Sequence, residues 1–210
     1  MKTIIYIDGF NFYYSTYRSP HQPDAKNYKW LDFKKLLQNL LRSEHEIVAI
    51  KYYTANVSGL HDPDQPTRQQ TYLRALKTYT PEFEVHKGMF LTSKRNMPRV
   101  KHPGSELVWY TEEKGSDVNL AVHLVNDGYK NLYSCAVVLS NDGDLREALK
   151  VAKNELEKKI GWILPRWTQK RSNELRQYTD FYRKFGLQNL KDAQLPSPIP
   201  GTNIRKPDAW

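Results

Sequence analysis

The chain has a single cysteine, Cys135, among 210 residues. One thiol rules out an intramolecular disulfide and any cysteine-rich zinc site. No apolar run approaches the roughly 20 residues needed to cross a bilayer. The early run Ile4 to Ile7 is too short for the core of a secretory signal and leads straight into Asp8. The expectation is a cytoplasmic protein with no membrane partner. None of the six histidines is paired at metal-ligand spacing, and there is no internal repeat. Acidic residues are also in deficit: 23 Asp and Glu stand against 32 Lys and Arg, a formal charge of +9. A surplus of that size favours a polyanionic partner, with nucleic acid first.

The chain length suits one domain with a full core, and a mean hydropathy of −0.74 reads as a polar globular protein. Strands are expected over Lys2 to Ile7, Glu46 to Thr54, Phe83 to Leu91, Cys135 to Leu139 and Ile160 to Leu164, each β-branched, aromatic or continuously apolar. Helices are expected over Phe12 to Arg18, Trp30 to Leu41 and Thr67 to Tyr79. Another opens at Glu112 to Asp117 and closes at Asn126-Asp127-Gly128, where the glycine is a stop signal. Loops fall at 19–29 and 56–66. Strands alternating with helices predict a three-layer α/β/α sandwich on a mostly parallel sheet. One domain is expected over 1–190, with a mobile basic loop or short hairpin inserted at 92–106. Residues 166–185 hold one more helix, and 191–210 form an extended tail with no core pattern.

The most informative stretch is Val137 to Leu145. A buried strand ends abruptly at Ser140-Asn141-Asp142-Gly143-Asp144, and a helix follows with Leu145, Ala148, Leu149, Ala152 and Leu156 at helical spacing. In open α/β sheets the carboxyl ends of strands are where sites are built. Asp8 follows the first strand in the same way, and Asp117 sits in the first turn of a helix. Right-handed crossovers bring these ends to one edge. Two bare carboxylates about 4 Å apart repel by roughly 4 kcal/mol at an effective dielectric of about 20. Four together need protons or divalent ions between them. Each acid also has a plainer role: Asp8 and Asp144 can cap helices, and Asp117 suits a helix dipole. Glu112, Glu113 and Asp127 are expected to be solvated.

Three blocks in order, Asp8-Gly9-Phe10-Asn11, Glu113-Lys114-Gly115-Ser116-Asp117 and Ser140-Asn141-Asp142-Gly143-Asp144, resemble the signature blocks of NYN domains, a branch of the PIN-like nuclease superfamily. The resemblance spans about Met1 to Leu164. It implies a PIN-like fold and a Mg²⁺- or Mn²⁺-dependent endoribonuclease. It implies metal binding by Asp8, Asp117, Asp142 and Asp144. It implies support from Asn11, in orienting Asp8 or binding phosphate, and from Ser140, with Lys114 touching phosphate or balancing the acids.

The expected substrate is RNA, in single strands or loops, such as tRNA, in a toxin or defence setting. DNA stays open, because no residue is assignable to reading a 2′-hydroxyl. Lys94, Arg95, Arg99 and Lys101 in the basic insertion, with Arg166, Lys170 and Arg171 after the last strand, are candidates for backbone phosphates. Among Phe10, Phe12, Tyr13, Tyr14 and Tyr17, one or two are free to stack on bases. The rival expectations are an RNA-binding module of the same fold and a small-molecule phosphohydrolase of another fold. A homodimer is compatible with the fold, though nothing in the chain demands it.

Overall fold

The first strand, β1 (Lys2–Asp8), is buried on both faces because its side chains alternate between two cores. In a computed structural model that describes residues 1–60 and 62–210, Ile5 and Ile7 join Phe12, Trp30, Leu36 and Leu76 on one side. Ile4 and Tyr6 join Leu120, Leu124, Leu149 and Trp162 on the other. Residue 61, inside the loop expected over 56–66, lies outside the described residues.

The chain continues through α1 (Gly9–Tyr17), a 3₁₀ turn at Pro23–Tyr28, α2 (Phe33–Leu40), β2 (Glu46–Thr54), α3 (Gln65–Tyr79) and β3 (Phe83–Lys87). A two-stranded arm follows, β4 (Met89–Pro98) and β5 (Ser105–Lys114), then α4 (Ser116–Tyr129) and β6 (Cys135–Leu139). After β6 come α5 (Arg146–Lys150), with a π-helical turn over Val151–Glu155, β7 (Lys159–Pro165), α6 (Asn173–Arg176), β8 (Phe181–Phe185) and α7 (Leu187–Asp192). The main sheet runs β3-β2-β1-β6-β7-β8 with every pairing parallel. Helices cover both faces, which is the expected three-layer PIN-like sandwich. In the β1–β6 register Ile7 pairs with Leu139, so the turns after both strands emerge side by side.

Several local expectations are corrected. The strand expected over Phe83 to Leu91 ends at Lys87, and of the two forms expected for 92–106, mobile basic loop or short hairpin, the hairpin is found, as the outer part of an arm whose strands have ten residues each. Leu91, Leu107 and Trp109 on it are exposed, so no inward-facing pattern showed the full length of its strands. Glu112, Glu113 and Lys114 close β5 instead of opening a helix. Gly115, at φ 92°, makes the turn into α4 that only glycine adopts without strain. The stop at Gly128 comes late: α4 runs to Tyr129, and the left-handed residue is Asn131.

The strand expected to be last is followed by β8 at the sheet edge. Residues 166–185 hold the one helix expected there, the four-residue α6, beside that strand. Residues 193–210 have no helix or strand, yet they are not a free tail. Leu195 and Ile199 are buried, the Leu195 N–H donates to the Trp30 carbonyl, and the Trp210 ring lies 5.1 Å from that of Tyr72. Three isolated apolar residues among prolines carry no periodicity, so the sequence pattern hid them.

Candidate active site: an acidic pocket at the strand ends

Asp8 ends β1 and caps α1. Its Oδ1 accepts the Asn11 N–H at 2.9 Å, and its Oδ2 accepts the Ser140 hydroxyl at 3.0 Å. Ser140 Oγ in turn accepts the Asp142 N–H at 3.1 Å. Asn11 Oδ1 accepts the Asn141 N–H at 3.0 Å, and Asn141 Oδ1 accepts the Ser172 N–H at 2.9 Å. The Trp162 indole donates to the Ser140 carbonyl at 2.7 Å. This mesh locks the turns after β1, β6 and β7 to one another. It uses the capping role foreseen for Asp8 without exhausting that carboxylate, since each oxygen has a lone pair left.

Around Asp8 opens a pocket of about 410 Å³, into which Asn11, Glu113, Asp117 and Asp142 also face. Among the described residues, no Lys, Arg or His lines it. Burial pushes the Asp8 carboxyl up to about 6, against the two hydrogen bonds that favour its charge, and Asp142 and Glu113 add repulsion. The structure therefore brings together Asp8, Asn11, Asp117, Asp142 and, behind them, Ser140. Asp117 is exposed on the rim, with its Oδ1 on the Val118 N–H at 2.8 Å.

Asp144 does not join them. It is exposed and lines a separate recess with Arg146, Glu147 and Glu174. The cap of that turn is Asp142, whose Oδ1 accepts the Asp144 N–H at 3.1 Å. Glu113, expected to be solvated, is a pocket residue, with Oε1 on the Ser116 N–H at 3.1 Å. The signal for it was its place four residues before Asp117 in the same block. Asp127, also expected to be solvated, is buried in a structural pair. Its Oδ2 accepts from Lys51 Nζ and from the Tyr6 hydroxyl, both at 2.7 Å.

The basic candidates stand outside the pocket. On the arm, Arg95 pairs with Glu112 at 3.0 Å and stacks over Tyr110, Arg99 pairs with Glu106 at 2.8 Å, and Lys114 pairs with Glu112 at 2.8 Å. Lys94 lies over Trp109, and neither it nor Lys101 has an acidic partner among the described residues. Past β7, Arg171 lies over Tyr182, the Lys170 carbonyl holds the Asn141 side chain, and Arg166 pairs its backbone with Phe185.

Among the described residues, no group of three or more His, Cys, Asp and Glu side chains stands close enough to enclose a metal ion. The donor chemistry of the pocket nonetheless fits Mg²⁺ or Mn²⁺. Its acidic side chains are four carboxylates, no cation among the described residues lines it beside them, and Mg²⁺ is commonly held by one or two carboxylates with water and substrate phosphate.

A family model for the NYN domain matches residues 2–185. The chain is 30% identical to 6-hydroxy-3-succinoylpyridine 3-monooxygenase HspA of Pseudomonas putida, an alignment covering 100% of this chain and 75% of that one. The crystal structure of a protein of unknown function from Vibrio parahaemolyticus superposes with a TM-score of 0.52 at 18% identity. The match covers 88% of this chain and 92% of the other, a likeness of fold.

Proposed function

From the premise that this chain belongs to the NYN domain family, within the PIN-like superfamily, we propose that it is a metal-dependent endoribonuclease. The family points to a nuclease-like, RNA-related hydrolase, and its members generally use divalent metals. The single observation that carries the finer reading is the Asp8 carboxylate, buried beside Asp142 and Glu113 with no cation among the described residues lining the pocket.

Asp8 and Asp142, at the sheet ends, would hold the ion, with Glu113 and Asp117 lining the same pocket. Bound there, Mg²⁺ or Mn²⁺ supplies Lewis acidity and an activated water. Ser140 positions Asp8 and Asp142 together. Asn11, whose oxygen is engaged by Asn141, offers its NH₂ group to a phosphate oxygen. Tyr14, 62% exposed and in the pocket wall, is the aromatic free to stack on an unpaired base. Lys94, Lys101, Lys170 and Arg166 form the outer field that draws the backbone in.

The test is incubation of purified protein with RNA hairpins, tRNA and single-stranded DNA in Mg²⁺, Mn²⁺ or EDTA, beside Asp142→Asn. Metal-dependent fragments lost in the variant support the reading. Tight RNA binding without cleavage favours a binding module, and equal fragments in both samples expose a contaminant.

The full-length likeness to a protein named as a monooxygenase of a substituted pyridine favours a second reading, action on a small aromatic molecule. Turnover of hydroxypyridine acids by a preparation inert on RNA would favour it.

A further inference from the structure

Beside the acidic pocket, and sharing Phe10 and Tyr14 with it, lies a second cavity of about 300 Å³. Its walls are aromatic: Tyr13 and Tyr17 from α1, Tyr52 from β2, Tyr72 from α3, and Trp210. At about 300 Å³ it is at the small end of ligand sites, the size for one or two rings.

The charged groups in this cavity are mainly cationic, three against the single carboxylate of Asp62. Arg18, Lys29 and Arg68 line it, and among the described residues only Arg68 has an acidic partner, Asp62. Arg18 and Lys29 instead lie over the rings of Tyr13 and Trp210, at 5.8 and 5.5 Å from the centroids. Lys29 is partly buried. Burial and then the neighbouring charges of Arg18, Arg68 and Lys206 push its ammonium down from the ordinary lysine range. Tyr52 is only 9% exposed, and its hydroxyl makes no hydrogen bond among the described residues. That hydroxyl stands against Gly9, where an added Cβ would lie 2.8 Å from it.

We propose that this cavity binds a small planar aromatic carboxylate, with the ring among the tyrosines and Trp210, the acid on Arg18 and Lys29, and a ring substituent on the Tyr52 hydroxyl. A nucleobase suits it less well. A base is neutral near pH 7, whereas these cations share the enclosure with the rings and call for charge on the ring's own substituent. The inference stands on the cavity alone and is independent of what the acidic pocket cleaves.

Binding is read in EDTA, so that loss of nuclease activity leaves the result unaffected. The full chain is titrated with 4-hydroxybenzoate, nicotinate, the neutral isostere 4-hydroxybenzamide and UMP, following tryptophan fluorescence and calorimetry. The carboxylates are expected to saturate and the amide to bind at least about tenfold more weakly. Arg18→Gln and Lys29→Gln are each expected to weaken the carboxylates about tenfold, and Tyr52→Phe about threefold, with unchanged circular dichroism. Equal affinity for acid and amide, preference for UMP, or no saturation by either carboxylate up to about 10 mM would overturn the proposal.

Discussion

Ser140 Oγ donates to Asp8 Oδ2 at 3.0 Å, joining the ends of two neighbouring parallel strands that are 132 residues apart in sequence. The same oxygen accepts the Asp142 N–H, so one small hydroxyl sets the distance between two pocket acids. Ser140→Ala leaves the Asp142 N–H without its acceptor and Asp8 without one of its two donors. A stability loss of about 1–3 kcal/mol is expected in urea unfolding. The Asp8 carboxyl, already at about 6, is expected to titrate higher still by carboxyl NMR, since a hydrogen bond that lowered it is gone.

Asp8 itself gives a stability change with a definite sign. Its folded carboxyl is raised from 3.8 to about 6, so the folded state holds its proton more tightly than the unfolded one. The carboxyl therefore costs nothing below the unfolded value and destabilises the fold as pH rises through about 6. Asp8→Asn removes that cost. In EDTA the variant is expected to melt above the parent at pH 8, by at most about 3 kcal/mol, with the gain vanishing near pH 4. A variant less stable than the parent at pH 8 would contradict the assigned burial cost.

Metal should reverse that order. An ion that binds the folded state alone stabilises it by about 2.7 kcal/mol at a hundredfold excess over its dissociation constant. Mn²⁺ is expected to raise the melting temperature of the parent and of Asp144→Asn, and to leave Asp8→Asn and Asp142→Asn unmoved. Calorimetric scans with and without EDTA measure this.

Cleavage rates should separate Glu113 from Asp144, two acids whose placement departs from expectation. Glu113→Gln is expected to slow RNA hydrolysis by about 10- to 100-fold, and Asp144→Asn by less than about threefold, because only Glu113 faces Asp8. Initial rates on a labelled hairpin decide it.

The Asp127–Lys51 pair supplies a prediction away from chemistry. Removing one member strands the other charge in a buried setting, so Asp127→Ala is expected to lose about 3–5 kcal/mol in denaturant unfolding.

Much of this was legible in the chain because β1 and β6 are apolar on both faces and end at acids, a pattern that fixes both the strand and its site. Asp8 and Asp142 follow from that, Asp117 from its place in the first turn of a helix on the same edge, and the supporting roles of Asn11 and Ser140 from the resemblance to NYN domains. Asp144 misled because it lies two residues from Asp142, and in a 3₁₀ turn that spacing points the next side chain elsewhere. Glu113 was obscured by the helix expected there, since only the backbone shows that β5 extends to Lys114. The aromatic cavity joins α1, β2, α3 and Trp210 across more than 190 positions, and no local pattern encodes such a meeting.

The arm is fastened to the body mainly at its base, with Phe90 edge-on to Phe10 at 5.5 Å. Glu113, which lines the acidic pocket with Asp8 and Asp142, is the next-to-last residue of that same arm. A molecule gripping the far tip would therefore have a handle some eight residues long on one wall of that pocket.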